Sequence, residues 1–219
     1  MEDCMSSKFA MCVYFDQHYK QTKDLVEPIN RTYCNKHGIE YINSYAGLNL
    51  PPEGKYKDYY AKFLLAYDTL FSKNFDYVFM LDADAVVLDH SLDIRKFVSM
   101  TDNEIMICAA EDVLENIWWN VNTGAIIFKN DNKVKTFLDS YFKGAEVNEY
   151  SLNDQDLFQF MLKSKMTSIV SVFPSKSFNG QGDFIYHACN DSTLYENVET
   201  AIQKKNDTLK KAIDNANII

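Results

Sequence analysis

Tyr77-Val78-Phe79-Met80-Leu81-Asp82-Ala83-Asp84-Ala85-Val86-Val87-Leu88 is the stretch from which the fold can be read. An apolar run, Tyr77 to Leu81, ends on two aspartates one residue apart, and a second apolar run follows at once. A short apolar run of this kind is a buried strand. Residues two apart on an extended chain face the same side, so both carboxylates are placed to reach one hard divalent cation, and such a cation usually holds a phosphate. The plainer reading of an isolated Asp-x-Asp is a polar cap on a strand at its turn. Ala85 to Leu88 weighs against that, because an exposed turn is not normally followed by four apolar residues.

Upstream, Phe9 to Phe15 has the pattern of a buried strand. Tyr19 to Lys36 then repeats apolar residues at Leu25, Val26, Ile29 and Tyr33 before Gly38 ends a helix, with Pro28 counting against its first turn. Ile39 to Tyr45 reads as a second strand, and Leu48 to Lys57, with Pro51, Pro52 and Gly54, as a turn-rich loop. From Tyr60, the positions Phe63, Leu64, Tyr67, Leu70 and Phe71 mark one face of an amphipathic helix that leads through Ser72 to Asp76 into the aspartate strand.

Downstream, Ile105 to Ala110 and Ala125 to Phe128 are short buried strands, separated by a segment holding Trp118 and Trp119. Val134, Phe137, Leu138 and Tyr141 predict one helix, and Leu157, Phe158 and Met161, after Asn153, another. Ser168 to Phe173 is a further strand. The glycine loop Asn179 to Gly182 precedes Phe184 to His187, and Ser192 to Asn215 reads as a polar, lysine-rich helix at the surface. Strands alternating with helices predict an α/β fold, a mostly parallel central sheet flanked by helices, with the ligand site at the carboxyl ends of the strands.

With 219 residues, 47% of them hydrophobic, the chain can build one substantial core, and we expect a single domain over 1–219. A formal net charge of -9 argues against a general polyanion-binding face, and we expect no nucleic-acid partner, so an anionic ligand must be handled locally, most simply through a metal. Cys4, Cys12, Cys34, Cys108 and Cys189 are odd in number and scattered without a Cys-x-x-Cys pair, as reduced thiols would be. Met1 to Lys8 has no apolar leader, and no segment is long enough to span a membrane. The expectation is a soluble, cytoplasmic protein.

Further residues carry chemistry if they converge. His187 ends the run Phe184-Ile185-Tyr186 after Gly180-Gln181-Gly182-Asp183, and imidazole is a good third ligand for Mn²⁺, although a histidine in such a place is often only structural. The glycines let backbone amides approach a phosphate. Lys62 lies off the helix face assigned to the core, where a solvated lysine is the default. Asn122-Thr123-Gly124 before the Ala125 strand reads as a turn, and Asn153-Asp154-Gln155-Asp156 as a helix N-cap; both stand where strand ends and helix starts would face one crevice.

Taken in order, these pieces resemble the GT-A glycosyltransferases, in particular the retaining galactosyl- and mannosyltransferase family, with glycogenin-like enzymes as close relations. The resemblance runs from Phe9-Ala10-Met11-Cys12-Val13-Tyr14 to Gly182-Asp183-Phe184-Ile185-Tyr186-His187, which is similar to that family's glycine-aspartate-apolar-apolar-histidine signature. It implies a single Rossmann-like GT-A domain, with a nucleotide-binding part over about 1–90, an acceptor part over about 91–190 and a C-terminal helix over about 192–215. It implies a hexosyltransferase using Mn²⁺ or Mg²⁺ and a nucleoside-diphosphate sugar, a UDP-sugar being the commonest donor, on a glycan or glycoprotein acceptor.

By the same resemblance, Asp82, Asp84 and His187 bind the metal; Tyr14, Asp16 and Tyr19 hold the nucleoside; and Lys62 contacts donor phosphate or sugar. Ala83, Thr123 and Gly182 belong to the donor site. Asn122 with Thr123 matches the asparagine-small-glycine motif, and Asp154 with Gln155 the aspartate-glutamine pair beneath the donor sugar, giving Asp154, Gln155, Lys62 and Asn122 as catalytic. Glu111 and Asp112 are further sugar contacts. The chain shows neither the signal anchor nor the stem of Golgi members, which soluble glycogenin-like and large-DNA-virus enzymes also lack, so it would act in the cytoplasm, a host's if viral. The acceptor region matches only through Trp118 and Trp119.

The resemblance favours transfer with retention. Inversion would need a carboxylate base beside the acceptor, for which Glu111, Asp112 and Asp156 are available. Two rivals belong to other classes. A haloacid-dehalogenase-type phosphatase also carries Asp-x-Asp after an apolar strand, but there the motif opens the chain and is followed by a glycine and a hydroxyl residue, whereas here about eighty residues precede it and Ala85-Val86 follow. A non-catalytic sugar-nucleotide or glycan binding module would use Trp118, Trp119 and the tyrosines as stacking surfaces.

Overall fold

A computed structural model describes residues 6–44, 57–102, 107–111, 119–146, 152–165, 169–175, 183–188 and 197–216. In chain order, strand β1 (Phe9–Tyr14), a 3-10 turn (Gln17–Tyr19), helix α1 (Lys20–His37) and strand β2 (Glu40–Ser44) come first. Helix α2 (Lys57–Tyr67) continues as a π-turn (Asp68–Ser72) into strand β3 (Tyr77–Leu81), followed by strand β4 (Ala85–Val87) and helix α3 (Arg95–Ser99). Next are strands β5 (Ile107–Glu111) and β6 (Val121–Lys129), helices α4 (Asn132–Glu146) and α5 (Asp154–Lys165), strands β7 (Val170–Phe173) and β8 (Ile185–His187), and helix α6 (Val198–Ala216).

The main sheet has the order β2-β1-β3-β6-β5-β7. Strand β6 is antiparallel to both its neighbours, and the other pairings, β1 with β2, β1 with β3 and β5 with β7, are parallel. All strands but β6 therefore point one way, and the sheet is mostly parallel as the alternation predicts. Buried on both sides, β1 and β3 send successive residues to opposite faces. Phe9, Met11, Val13, Phe79 and Leu81 pack under α1, α6 and the β4–β8 pair, while Ala10, Cys12, Val78 and Met80 pack under α2, α4 and α5. Each face has its own core.

Several sequence expectations change. Helix α1 runs unbroken through Pro28, because Pro28 is on the exposed face, where the carbonyl it cannot bond meets water. Gly38 ends the helix in the left-handed region, φ 64°, its N–H bonded to the Cys34 carbonyl. Asn122-Thr123-Gly124, expected as a turn, belongs to β6: Ala110 pairs with Asn122 while Ala109 pairs with Ile126, so residues 123–125 bulge from β5, yet Ala125 stays paired with Leu81 of β3. The C-terminal helix is no surface tail, since Ala201, Ile202, Asn206, Leu209 and Ile213 are buried.

Cys12 and Cys34 are free and buried, and burial pushes both thiols up to about 12. The loop 48–56, the glycine loop 179–182, Cys4 and Cys189 lie outside the described residues. Among the described residues, no helix is long and apolar enough to cross a membrane.

Candidate active site

The chain leaves β3 at Leu81, and Asp82-Ala83-Asp84 forms a turn rather than the extended segment expected, with the Ala85 N–H donating to the Asp82 carbonyl at 3.1 Å. The two carboxylates still converge, because β4 pairs antiparallel with β8 in a separate small sheet whose register sets Ala85 opposite His187. The Ala188 N–H on the Asp84 carbonyl, 3.0 Å, extends that register. His187 Nε2 accordingly lies 3.2 Å from Asp84 Oδ1 and 3.5 Å from Asp82 Oδ2.

Gly124, in the β6 bulge, makes room for that ring. A Cβ there would stand 2.1 Å from His187 Cε1 and 2.4 Å from Nδ1, so any side chain would drive the imidazole away. Its carbonyl accepts the Asp82 N–H at 2.8 Å. The bulge thus positions the histidine and the first aspartate together.

Asp82, Asp84 and His187 can each offer one donor atom, all within 4.8 Å of one another. Two carboxylate oxygens and one imidazole nitrogen suit a hard or borderline divalent ion such as Mn²⁺ or Mg²⁺. Geometry and donor chemistry agree on this point.

Lys62 departs from the solvated default, being only 8% exposed. Its ammonium donates to Asp82 Oδ1 at 2.6 Å, reaches Asp154 Oδ2 at 2.8 Å and lies 3.4 Å from Thr123 Oγ1. The helix face that contacts the core is wider than the apolar stripe suggested, since α2 is covered at its Lys62 side by β6 and α5. Burial works against the charge on Lys62, but Asp154 and Asp82 outweigh it and the pKa rises. Asp82 moves oppositely: burial would raise it, and Lys62 and then His187 hold it below the usual carboxylate range.

Asp154 opens α5, behind Asn153, whose side chain accepts the Asp156 N–H at 2.8 Å. Thr123 Oγ1 donates to Asp154 Oδ2 at 3.0 Å, Gln155 Oε1 accepts the Thr123 N–H at 3.2 Å, and Asn122 Oδ1 accepts the Gly124 N–H at 2.8 Å. These four residues brace Lys62 and the bulge from behind.

A cavity of about 310 Å³ opens over the cluster. Its floor is Lys62, Asp82, Ala83, Asp84 and His187, and one wall is Tyr14, Asp16 and Tyr19 after β1. Asp16 Oδ1 also caps the 3-10 turn, accepting the His18 and Tyr19 N–H groups at 2.7 and 3.2 Å. Tyr59 and Val198, both more than half exposed, lie at the rim. Among the described residues, Asn122, Thr123, Asp154 and Gln155 do not line the cavity.

Four lining residues, His18, Tyr59, Val198 and Lys205, are absent from the sequence reading, and Lys205 touches an aspartate of the cation cluster. Lys205 of α6 donates to Asp84 Oδ2 at 2.5 Å. The signal was present: Lys205 falls at helical spacing between Ile202 and Leu209, inside the apolar stripe rather than on the lysine-rich face. Burial disfavours its charge, but Asp84 and Tyr19 outweigh that and raise its pKa, while Asp84, despite burial, is held low by Lys205 and His187. Burial and then Asp84 push the Tyr19 phenol up.

Of the remaining candidates, Gly182, Asp112 and Trp118 lie outside the described residues, and Glu111 is described only as the last residue of β5. Trp119 is half-buried, with the Lys163 ammonium 4.6 Å from its ring centroid.

No protein-family model matches the chain, and no curated protein matches it. Solved structures do. The chain is similar to a glycosyltransferase involved in the glycosylation of the major capsid of PBCV-1, with a TM-score of 0.68 at 13% identity over 93% of this chain and 99% of that one. It is also similar to the glycosyltransferase GlyE of Streptococcus pneumoniae, with a TM-score of 0.56 at 12% identity over 96% of this chain but 63% of that one. A third is the catalytic domain of Drosophila beta1,4galactosyltransferase 7, with a TM-score of 0.51 at 14% identity over 87% and 74%. The architecture is thus the GT-A fold of glycosyltransferases.

Proposed function

We propose that this protein is a metal-dependent glycosyltransferase that moves a hexose from a nucleoside-diphosphate sugar, a UDP-sugar, to a glycan or glycoprotein acceptor with retention. The observation that carries the proposal is the convergence of Asp82, Asp84 and His187 on the floor of a cavity at the strand ends. A binding module for neutral glycans would not need three cation ligands beneath its pocket.

In this reading Asp82, Asp84 and His187 would hold a divalent cation, which would supply positive charge for the diphosphate of the donor. Tyr14, Asp16 and Tyr19 hold the nucleoside against the β1 wall. Lys62 presents its ammonium to the donor phosphate or sugar, and its two carboxylate partners keep it charged and aimed. Ala83 and Gly182 let the chain approach the donor closely, and Thr123 fixes the Lys62–Asp154 pair. Asp154 and Gln155 stand behind the cavity floor and act on charge that develops on the sugar ring through Lys62 and Thr123, and Asn122 steadies the bulge between them and the cation site. The division into a nucleotide part, 1–90, and an acceptor part, 91–190, within one domain belongs to the same proposal, as do a cytoplasmic location, membership of the retaining family in its large-DNA-virus form, and the absence of a nucleic-acid partner.

Calorimetric titration of UDP, GDP and their sugar conjugates, with and without Mn²⁺, tests the reading, with Asp84→Ala in parallel. One nucleotide binding only with metal, and losing that binding on substitution, is the expected result. Nucleotide binding that ignores both metal and Asp84 would overturn it, and an aspartyl-phosphate formed on Asp82 would point to phosphatase chemistry instead.

A further inference from the structure

We infer that Lys205 is a built-in competitor for the cation: its ammonium occupies Asp84 in place of the metal, is displaced when metal enters, and then serves the diphosphate that follows. The inference extends the proposed function by coupling the C-terminal helix to loading of the site.

Geometry carries it. Asp84 is 4% exposed and has two carboxylate oxygens, of which Oδ1 faces His187 and Oδ2 takes the Lys205 ammonium. A divalent cation held by the Asp82, Asp84 and His187 donors and the Lys205 ammonium would be two cations, with three positive charges, at one buried carboxylate. Repulsion at that separation in a partly buried site is strong enough to decide between them. Lys62 does not face this conflict, because its ammonium keeps Asp154 as a second carboxylate if Asp82 turns to the metal.

Lys205 has somewhere to go. It lines the cavity beside the cation site, its ammonium 2.5 Å from Asp84 Oδ2 and 5.9 Å from the centre of the Tyr19 ring on the β1 wall. A lysine is a mobile point charge on a long stem, suited to move a few ångströms from carboxylate to phosphate. The helix that carries it is anchored independently by Leu209 and Ile213 and by Thr22 Oγ1 donating to Asn206 Oδ1 at 2.7 Å, so the side chain can move without the helix.

Two effects of opposite sign follow from one substitution. In Lys205→Met, Mn²⁺ alone binds about tenfold tighter than to the unmodified protein, because the competing charge is gone. With Mn²⁺ saturating, UDP binds about tenfold weaker, because a charge-assisted contact to phosphate is lost. Lys205→Arg keeps the charge and returns both affinities toward those of the unmodified protein, which an effect of loosened helix packing would not do.

Mn²⁺ affinity measured by electron paramagnetic resonance, and UDP affinity by calorimetry, decide the matter, with thermal unfolding as a check that α6 stays docked. Unchanged or weaker Mn²⁺ binding in Lys205→Met would overturn the inference whatever happens to UDP. If UDP binds no form of the protein, the glycosyltransferase reading fails on its own, and the Mn²⁺ titration still decides whether Lys205 competes for Asp84.

Discussion

Two clusters of buried charge flank β4, and they are built on opposite plans. After its C-terminal end, Asp93 is closed on itself: Arg95 Nε and Nη2 clasp both its oxygens at 2.7–3.1 Å, His37 Nδ1 stands at 3.5 Å, and Arg95 Nη2 also donates to the His37 carbonyl at 2.7 Å. His37 Nε2 lies 3.0 Å from the His90 carbonyl, tying the helix end to the loop. Before its N-terminal end, Asp82 and Asp84 also have cationic partners, but those partners come from α2, β8 and α6, and all of them border a cavity. One cluster joins α1 to a loop, with a local Arg95–Asp93 clasp that His37 closes from the helix end. The other gathers long-range contacts around a space, with carboxylates whose partners can be exchanged. Buried charge by itself therefore does not mark a site; exchangeable partners around a cavity do.

The strongest way to break this comparison is to neutralise one aspartate in each cluster. Asp84→Asn is expected to lower Mn²⁺-dependent UDP binding by about 100-fold or more, since it removes one of the three proposed cation ligands. Asp93→Asn leaves Mn²⁺ and UDP titrations unchanged. Equal losses in both variants would mean that the two clusters are not different in kind. Next in size is Lys62→Met, which leaves Asp82 and Asp154 without their shared counter-ion. We expect about 3 kcal/mol of lost stability in a urea titration together with an increase of about tenfold or more in the dissociation constant for UDP. A loss of stability alone would reduce Lys62 to a structural pair like Arg95.

Gly124→Ala sharpens the same contrast from the backbone side. The added methyl would fall where the His187 ring lies, and the ring is the only imidazole among the described candidate ligands, so Mn²⁺ affinity should drop by about 10-fold or more. Far-ultraviolet circular dichroism should remain that of the parent, because β6 keeps its pairing with β3. If Mn²⁺ binding survives, His187 is not a ligand and the cation rests on the aspartates.

How much of this was legible from the residues follows from what each pattern depends on. β1 and β3 could be read because a strand buried on both faces is apolar at every position, and α4 because Val134, Phe137, Leu138 and Tyr141 fall at helical spacing. The Asp82–Asp84 pair was legible because acidic residues interrupt an apolar run. The bulge at 123–125 was not, since it depends on Ala109 and Ala110 choosing partners four residues apart in β6. Nor was the burial of Lys62, which a helix of apolar periodicity assigns to solvent until two carboxylates, at residues 82 and 154, are brought to it. Lys205 was missed for the same reason: its partner is 121 residues away, and lysine inside an apolar stripe is visible in sequence only as an exception to look for.

The smallest effect concerns the closed cluster and acid. Burial would raise the Asp93 pKa, but the hydrogen bonds from Arg95 hold it below its ordinary 3.8. A carboxylate depressed in the fold stabilises fully where both folded and unfolded chains are ionised, above 3.8, and that contribution is lost as the pH falls through the folded value, because the unfolded chain takes up the proton first. Near pH 6, then, Asp93→Asn should be less stable than the parent by about 1–3 kcal/mol, read from urea midpoints. Below 3.8 the gap should narrow, since the parent progressively loses the ionised form that the variant never had. A gap that stays constant through acid would mean that the clasp on Asp93 works as well on a neutral side chain, and that its charge contributes nothing to joining α1 with the loop.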